Sequence, residues 1–262
     1  QVAAVDGQDA FQDVEGFDKS AMTLNELPVH EWHGWVFVAS SGVATDFTAH
    51  VGNAEGIVAP YHADELRVVD THEYVIEANW KLIVENYQEC YNCPSIHPEL
   101  CRVSPPESGD NITDRSGDWM GGWMELREGM DTMSLDGTSG SVAIATLNER
   151  ELHSVMYLVL FPNMLISLHP DYVMTHTLVP LSPESTHVTC SWLFPQDAIA
   201  KDDFNPKGAI DFWDITNRQD WGACESVQRG LRSEQWLPGP LAPSEDGVYH
   251  FVTTVAQRYI DG

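Results

Sequence analysis

Glu89, Cys90, Asn92, Cys93, His97 and Cys101 crowd into one short stretch, ECYNCPSIHPELC. Every one of these residue types can meet a metal. By spacing alone the stretch reads C-x2-C-x3-H-x3-C, close to a structural zinc knuckle across residues 90–101. It also reads as one half of an iron site, in which Glu89 and His97 need a further ligand from elsewhere in the chain. The zinc reading sits poorly with its setting. Knuckles form closed sites in small domains that lack a core, and most serve nucleic-acid binding. Cys90, Cys93 and Cys101 are better read as small buried hydrophobes.

A further ligand is available far along the chain. In FWDITNRQDWGACESVQRGL the apolar stripe runs through Ile210, Trp213, Cys224, Val227 and Leu231, and Asp220 falls within it. A carboxylate on the buried face of a helix is costly unless it is paired with an Arg or bound to a metal. Asp211 and Asp214 lie off the stripe and read as solvated.

These groups must be held by elements that the pattern also predicts. HEWHGWVFVAS (30–40) and RVVDTHEYVIEA (67–78) read as strands. Residues 79–93 carry Trp80, Val84, Tyr87 and Tyr91 at helical spacing, with Asn79 as N-cap and Pro94 as the stop. That helix would align Glu85, Glu89 and Asn92 on one face. Residues 102–140, rich in Gly, Ser, Pro and Asp, read as a long loop of the kind that covers a binding site. Four strands follow, at 141–147, 153–161, 171–181 and 186–194, then a long helix at 208–231 and an amphipathic one at 247–260. The fold class is α+β, with an antiparallel sheet packed around a long C-terminal helix and a hollow between them.

Bulk properties narrow the function. Forty acidic residues face thirteen basic ones, for a net charge of −27. A field of that sign repels nucleic acid and anionic membranes. Only four lysines occur, and the acidic, lysine-poor composition resembles that of proteins adapted to high salt. Nine Trp, nine Phe and eight Tyr argue for a packed core rather than an acidic disordered chain. No apolar run is long enough to span a membrane, and the N-terminus lacks the basic start and apolar stretch of a signal peptide. Five cysteines, an odd number without a repeating framework, suggest reduced thiols in a cytoplasm.

NWKLIVENYQECYNCPSIHPEL resembles the iron-binding segment of the Rieske non-haem iron oxygenases, N-W-K followed by E-N-Y-x-E-C-Y-H-C-P and H-P. RQDWGACESVQRGLRS is similar to their C-terminal ligand helix, and FPNMLISLHPDYVMTHTLVPL and WMGGWMELREGMDTMSLDG are similar as well. The resemblance covers nearly the whole chain. It implies a helix-grip catalytic domain over 41–262, with residues 1–40 following a cluster-binding Rieske domain. It also implies a mononuclear Fe(II) held by two His and one carboxylate. Residue by residue, His97 is the second His ligand and Asp220 the carboxylate. Glu89 is the acidic bridge through which electrons arrive from a neighbouring subunit's [2Fe-2S] cluster. The family's first His falls at Asn92, a neutral and poorer ligand for Fe(II). The C-x-H and C-x-x-H pairs that hold the cluster do not occur in this sequence.

A complete member would use O2 and NAD(P)H-derived electrons, delivered by a reductase or ferredoxin, within a homotrimer. It would hydroxylate or oxidatively demethylate a small organic substrate, either a quaternary ammonium compound such as choline or glycine betaine, or an aromatic. The other reading of the same residues is a non-enzyme that keeps the hollow as a ligand-binding domain and has lost its redox chemistry.

Overall fold

The computed structural model describes residues 26–261, together with positions 15 and 24. Of the expected 1–40 segment, the part before residue 26 otherwise lies outside the described residues. The stretch expected as one strand at 30–40 is a hairpin, β1 (Val29–Trp32) and β2 (Trp35–Val38). His33 and Gly34 at the turn both take positive φ, 48° and 85°, as a tight right-twisted hairpin requires. Two short helices follow, α1 (Phe47–Val51) and α2 (Ala54–Val58), before the long strand β3 (Leu66–Ile76).

Helix α3 (Trp80–Tyr87) starts where expected, with the Asn79 side chain accepting from the Lys81 amide at 3.1 Å. It ends six residues early. Beyond Gln88 the chain turns and forms two further short helices, α4 (Cys93–Ile96) and α5 (Pro98–Val103). Pro94 therefore opens α4 instead of stopping α3, because its missing N–H costs nothing in a first turn. Glu89 and Asn92 lie in the connecting turn, and Tyr91 is exposed. Cys90 and Cys93 are joined as a disulfide, their Cα atoms 4.9 Å apart across that turn. This corrects the expectation of reduced thiols throughout, and it takes from the zinc knuckle two of its sulfur ligands. Cys101, Cys190 and Cys224 are free.

The 102–140 stretch is not all loop. It supplies β4 (Asp110–Asn111) and β5 (Trp119–Glu125). Gly121 lets β5 approach its neighbour, since a Cβ there would sit 2.0 Å from the Tyr157 carbonyl oxygen. Conversely, the strand expected at 141–147 does not form; Ile144 and Leu147 are buried from irregular chain. The sheet continues with β6 (Ser154–Leu160), β7 (Met164–Leu168), β8 (Val173–Ser182) and β9 (Ser185–Pro195). All pairings are antiparallel, in the order β3-β9-β8-β7-β6-β5-β4. A short α6 (Gln196–Ile199) leads to the long α7 (Lys207–Leu231), and α8 (Asp246–Asp261) closes the fold.

Alternation along the strands feeds two cores. Val155, Val159, Leu165, Met174 and Trp192 join Ile83 and Val84 of α3, Phe212 and Trp213 of α7 and Phe251 of α8. Leu158, Leu160, Ile166, Val173 and Leu193 join Trp32 of the hairpin and the α1–α2 segment. Because both faces are covered, β6 and β7 are mostly apolar along their length, with Ser154, Tyr157 and Ser167 as the exceptions.

Helix α7 is tied to its surroundings at three levels. Near its middle, Asp214 accepts from Tyr74 Oη at 2.7 Å and lies 3.2 Å from His72 Nδ1 on β3, so it is partly buried rather than solvated. Asp220 meets α3 and His97, as described below. Near the C-terminal end, Gln228 Oε1 accepts the Asn79 amide at 2.9 Å. Val227, assigned to the apolar stripe, is exposed.

Candidate active site

Between α3, the 88–97 turn, α7 and the sheet lies a cavity of about 630 Å3. Its walls include Tyr87, Trp123, Tyr157, Trp213 and Trp221, and it is also lined by Glu89, Asn92, His97 and Asp220. Residues more than a hundred positions apart meet here. The break in the chain after α3 makes this possible, since it turns position 92 and His97 toward α7.

His97 is 3% exposed. Its Nε2 lies 2.9 Å from Asp220 Oδ1 and its Nδ1 lies 2.7 Å from Gln219 Oε1. The Gln219 amide is oriented by Nε2 donating to Glu99 Oε2 at 3.2 Å, which leaves Oε1 as an acceptor. Both ring nitrogens therefore face acceptors, an arrangement suited to the imidazolium. Burial works against that charge. The hydrogen bond and charge of Asp220, with help from Gln219 and Glu89, outweigh it and hold the His97 pKa above its ordinary value. The alternative expected for Asp220, a salt bridge to an Arg, does not form among the described residues; its carboxylate meets this histidine.

Asn86 extends the network. Its Nδ2 donates to Asp220 Oδ1 at 2.7 Å, and its Oδ1 accepts from Asn92 Nδ2 at 2.9 Å. Glu89 does not orient an imidazole. Its Oε2 accepts the backbone amides of Tyr91 and Asn92, the latter at 3.2 Å. Burial raises the Glu89 pKa, and the two amides offset part of the rise.

All four residues singled out in the sequence thus line one cavity, and three of them form one chain of contacts, Asn92 to Asn86 to Asp220 to His97. Sequence reasoning missed Asn86, Gln219 and Glu99. Asn86 stands inside the E-N-Y motif and Gln219 beside Asp220, so proximity to named motifs is the signal that could have found them. It also missed Trp123, Tyr157 and His176, which reach the cavity from the sheet.

The donor set can be tested against the expected iron triad. His97 Nε2 and Asp220 Oδ1, 2.9 Å apart, are spaced as two neighbouring ligands about 2.0–2.2 Å from one ion would be. Position 92 offers a neutral amide whose nitrogen is engaged with Asn86. Among the described residues, no three His, Cys, Asp or Glu side chains are grouped so that they could hold a metal. The set falls one imidazole short of two His and one carboxylate.

Comparison with known proteins agrees with the sequence resemblance. Residues 63–261 match the family described as ring hydroxylating alpha subunit (catalytic domain). The oxygenase subunit of glycine betaine monooxygenase from Chromohalobacter salexigens is 30% identical over 275 residues, covering 94% of this chain and 61% of that one. The chain thus spans less than two thirds of that relative's length. The quaternary ammonium Rieske monooxygenase CntA superposes with a TM-score of 0.77 at 22% identity, over 95% of this chain and 66% of CntA. Naphthalene 1,2-dioxygenase from Rhodococcus sp. superposes with a TM-score of 0.72 at 18% identity, over 96% and 71%. The chain belongs to the ring hydroxylating alpha subunit family, whose catalytic domain it contains.

Proposed function

We propose that this chain is the substrate-binding and catalytic domain of a monooxygenase for a small organic cation, and that in its present sequence it holds iron weakly and turns over nothing alone. One observation carries this reading. Position 92, His97 and Asp220 come together on the wall of an aromatic cavity, with an amide where an imidazole is needed. The aromatic lining suits an organic cation through cation–π attraction, and the relative named for glycine betaine points to the same chemistry. His97 and Asp220 would contribute two ligands to Fe(II), whose role in the family is to activate O2.

In the whole protein, electrons from a reductase or ferredoxin would arrive through a [2Fe-2S] cluster bound by ligands absent from this sequence. Glu89 would face the neighbouring subunit of a homotrimer in the cytoplasm. Among the described residues no helix is long and apolar enough to cross a membrane. The alternative is a ligand-binding domain without oxygen chemistry, and the amide at position 92 is the observation that favours it.

Anaerobic Fe(II) loading with metal analysis separates these readings. The chain as it stands should retain well under one iron, whereas Asn92→His should approach one. Asn92→His should nevertheless stay idle in oxygen uptake until a cluster-bearing partner is supplied. Equal stoichiometric iron in both would show that Asn92 is a competent ligand or that the iron lies elsewhere. Zinc retained by both, and lost on replacing Cys90 and Cys93, would restore the knuckle.

A further inference from the structure

Cys90 and Cys93 are the only bonded sulfurs among the described residues, and their bond spans the turn on which the site depends. A structural disulfide usually staples segments distant in sequence. This one closes only residues 90–93 and joins nothing else, so its effect is local. Both cysteines line the cavity. Cys93 is 4% exposed and Cys90 is half-buried, so a small thiol meets Cys90 first.

Few other contacts hold the turn. The Cys93 amide donates to the Cys90 carbonyl at 3.2 Å, and Glu89 Oε2 accepts the amides of Tyr91 and Asn92. Tyr91, between the two sulfurs, is exposed. The Cys93 carbonyl in turn accepts the His97 amide at 3.0 Å and the Cys101 thiol at 3.4 Å. The bridge thus fixes the residue from which the His97 backbone hangs. Asn92, inside the bridged loop, reaches Asp220 through Asn86. Loosening the bridge loosens both approaches to Asp220, one through Asn86 and one through His97. Cys101 is the free thiol beside the pair. Burial, partly offset by Arg127, raises its pKa, which makes it a poor attacker of the bond.

We infer that Cys90 and Cys93 form a reversible redox site, closed as a disulfide and opened to two thiols by a dithiol reductant, whose state sets the rigidity of the turn carrying Asn92 and His97. Opening takes two electrons and two protons. A thiolate of the reductant attacks Cys90 Sγ, and Cys93 Sγ leaves and takes a proton. The second thiol of the reductant then displaces Cys90 Sγ, which takes the other proton as the reductant closes into its own disulfide. Because the bridged loop is short, its release gains modest chain entropy, on the order of tenfold in local opening. The redox site stands on the turn alone and is independent of the ligand or metal that the cavity takes.

The test is alkylation and hydrogen exchange of the folded protein after equilibration with reduced or oxidised dithiothreitol, in one buffer containing EDTA. Iodoacetamide should label Cys90 and Cys93 in the reduced sample only, and reoxidation should abolish the labelling. Amides of residues 91–97 should exchange about tenfold faster in the reduced sample, with those of β7 and β8 unchanged. Cys90→Ser, which cannot bridge, should show the fast pattern under both conditions. Labelling of the pair only after urea is added would overturn the inference, since the bond would then be a fixed staple. Labelling of both cysteines in both samples would overturn the pairing itself. Equal exchange over 91–97 in the two states would overturn the link between the bridge and the site.

Discussion

His169 offers a quantitative test of how the cavity wall is built. The ring is fully buried, stacks on Tyr172 with centroids 4.0 Å apart, and meets the edge of Trp213, a cavity residue, at 5.5 Å. Neither ring nitrogen has a hydrogen-bond partner. Burial lowers its pKa to about 3, with the nearby Ser167 backbone offsetting only part of the effect. The sign of the pH dependence follows from which state binds the proton. An unfolded chain takes one at this residue near pH 6.5, and the folded chain refuses it until far lower pH. Acidification from pH 7 to pH 5 therefore favours unfolding, and at about 1.36 kcal/mol per unit the residue removes about 2 kcal/mol of stability. Replacing it with Phe keeps the stack and removes two unsatisfied polar atoms. His169→Phe should gain about 1 kcal/mol at pH 7 and about 2 kcal/mol more at pH 5. Urea unfolding at both pH values, in molar KCl, measures the difference between the two proteins. In that difference the stabilising contribution of His97, whose raised pKa acts the other way, cancels. A variant that is less stable, with an unchanged pH slope, would mean that the ring nitrogens are satisfied and the reasoning is wrong.

Two further outcomes are expected. With a net charge of −27, the melting temperature should rise across a KCl series, since the Debye length shrinks to about 3 Å at 1 M; a flat or falling series rejects salt adaptation. Gly121→Ala places a methyl 2.0 Å from the Tyr157 carbonyl, so β5 and β6 must separate at a cost of about 1–3 kcal/mol. A melt matching the parent would show that the strands have slack there.

The parts of the fold that announce themselves are those with long periodic patterns or chemical punctuation. Helix α7 shows its register over seven turns, and that register puts Asp220 inside. Asn79 marks the start of α3 because its side chain can cap. The end of α3 carries no such mark. Residues 88–92 contain neither Gly nor Pro, and helical spacing persists through Tyr91, so only packing reveals the break that aims His97. Strand β7 is five residues long and buried on both faces, hence without alternation, while β5 hides in a segment whose glycines suggest loop. The site followed the same division. Ligand-like residues in recognisable motifs were legible, but the sheet's contribution was not, because Tyr157 and His176 look like ordinary strand residues until the sheet curls.

The three ties on α7 have a mechanical consequence. Asp214, Asp220 and Gln228 grip β3, the His97 turn and the start of α3 from different sides of one rod. Advancing the rod by one residue would shift it about 1.5 Å and turn it about 100°, and all three grips would release together. The helix therefore behaves as a fixed jaw, and the sheet is the jaw whose face can be recut. New ligand shapes should be sought by changing Trp123, Tyr157, Leu165 or His176, with α7 left alone.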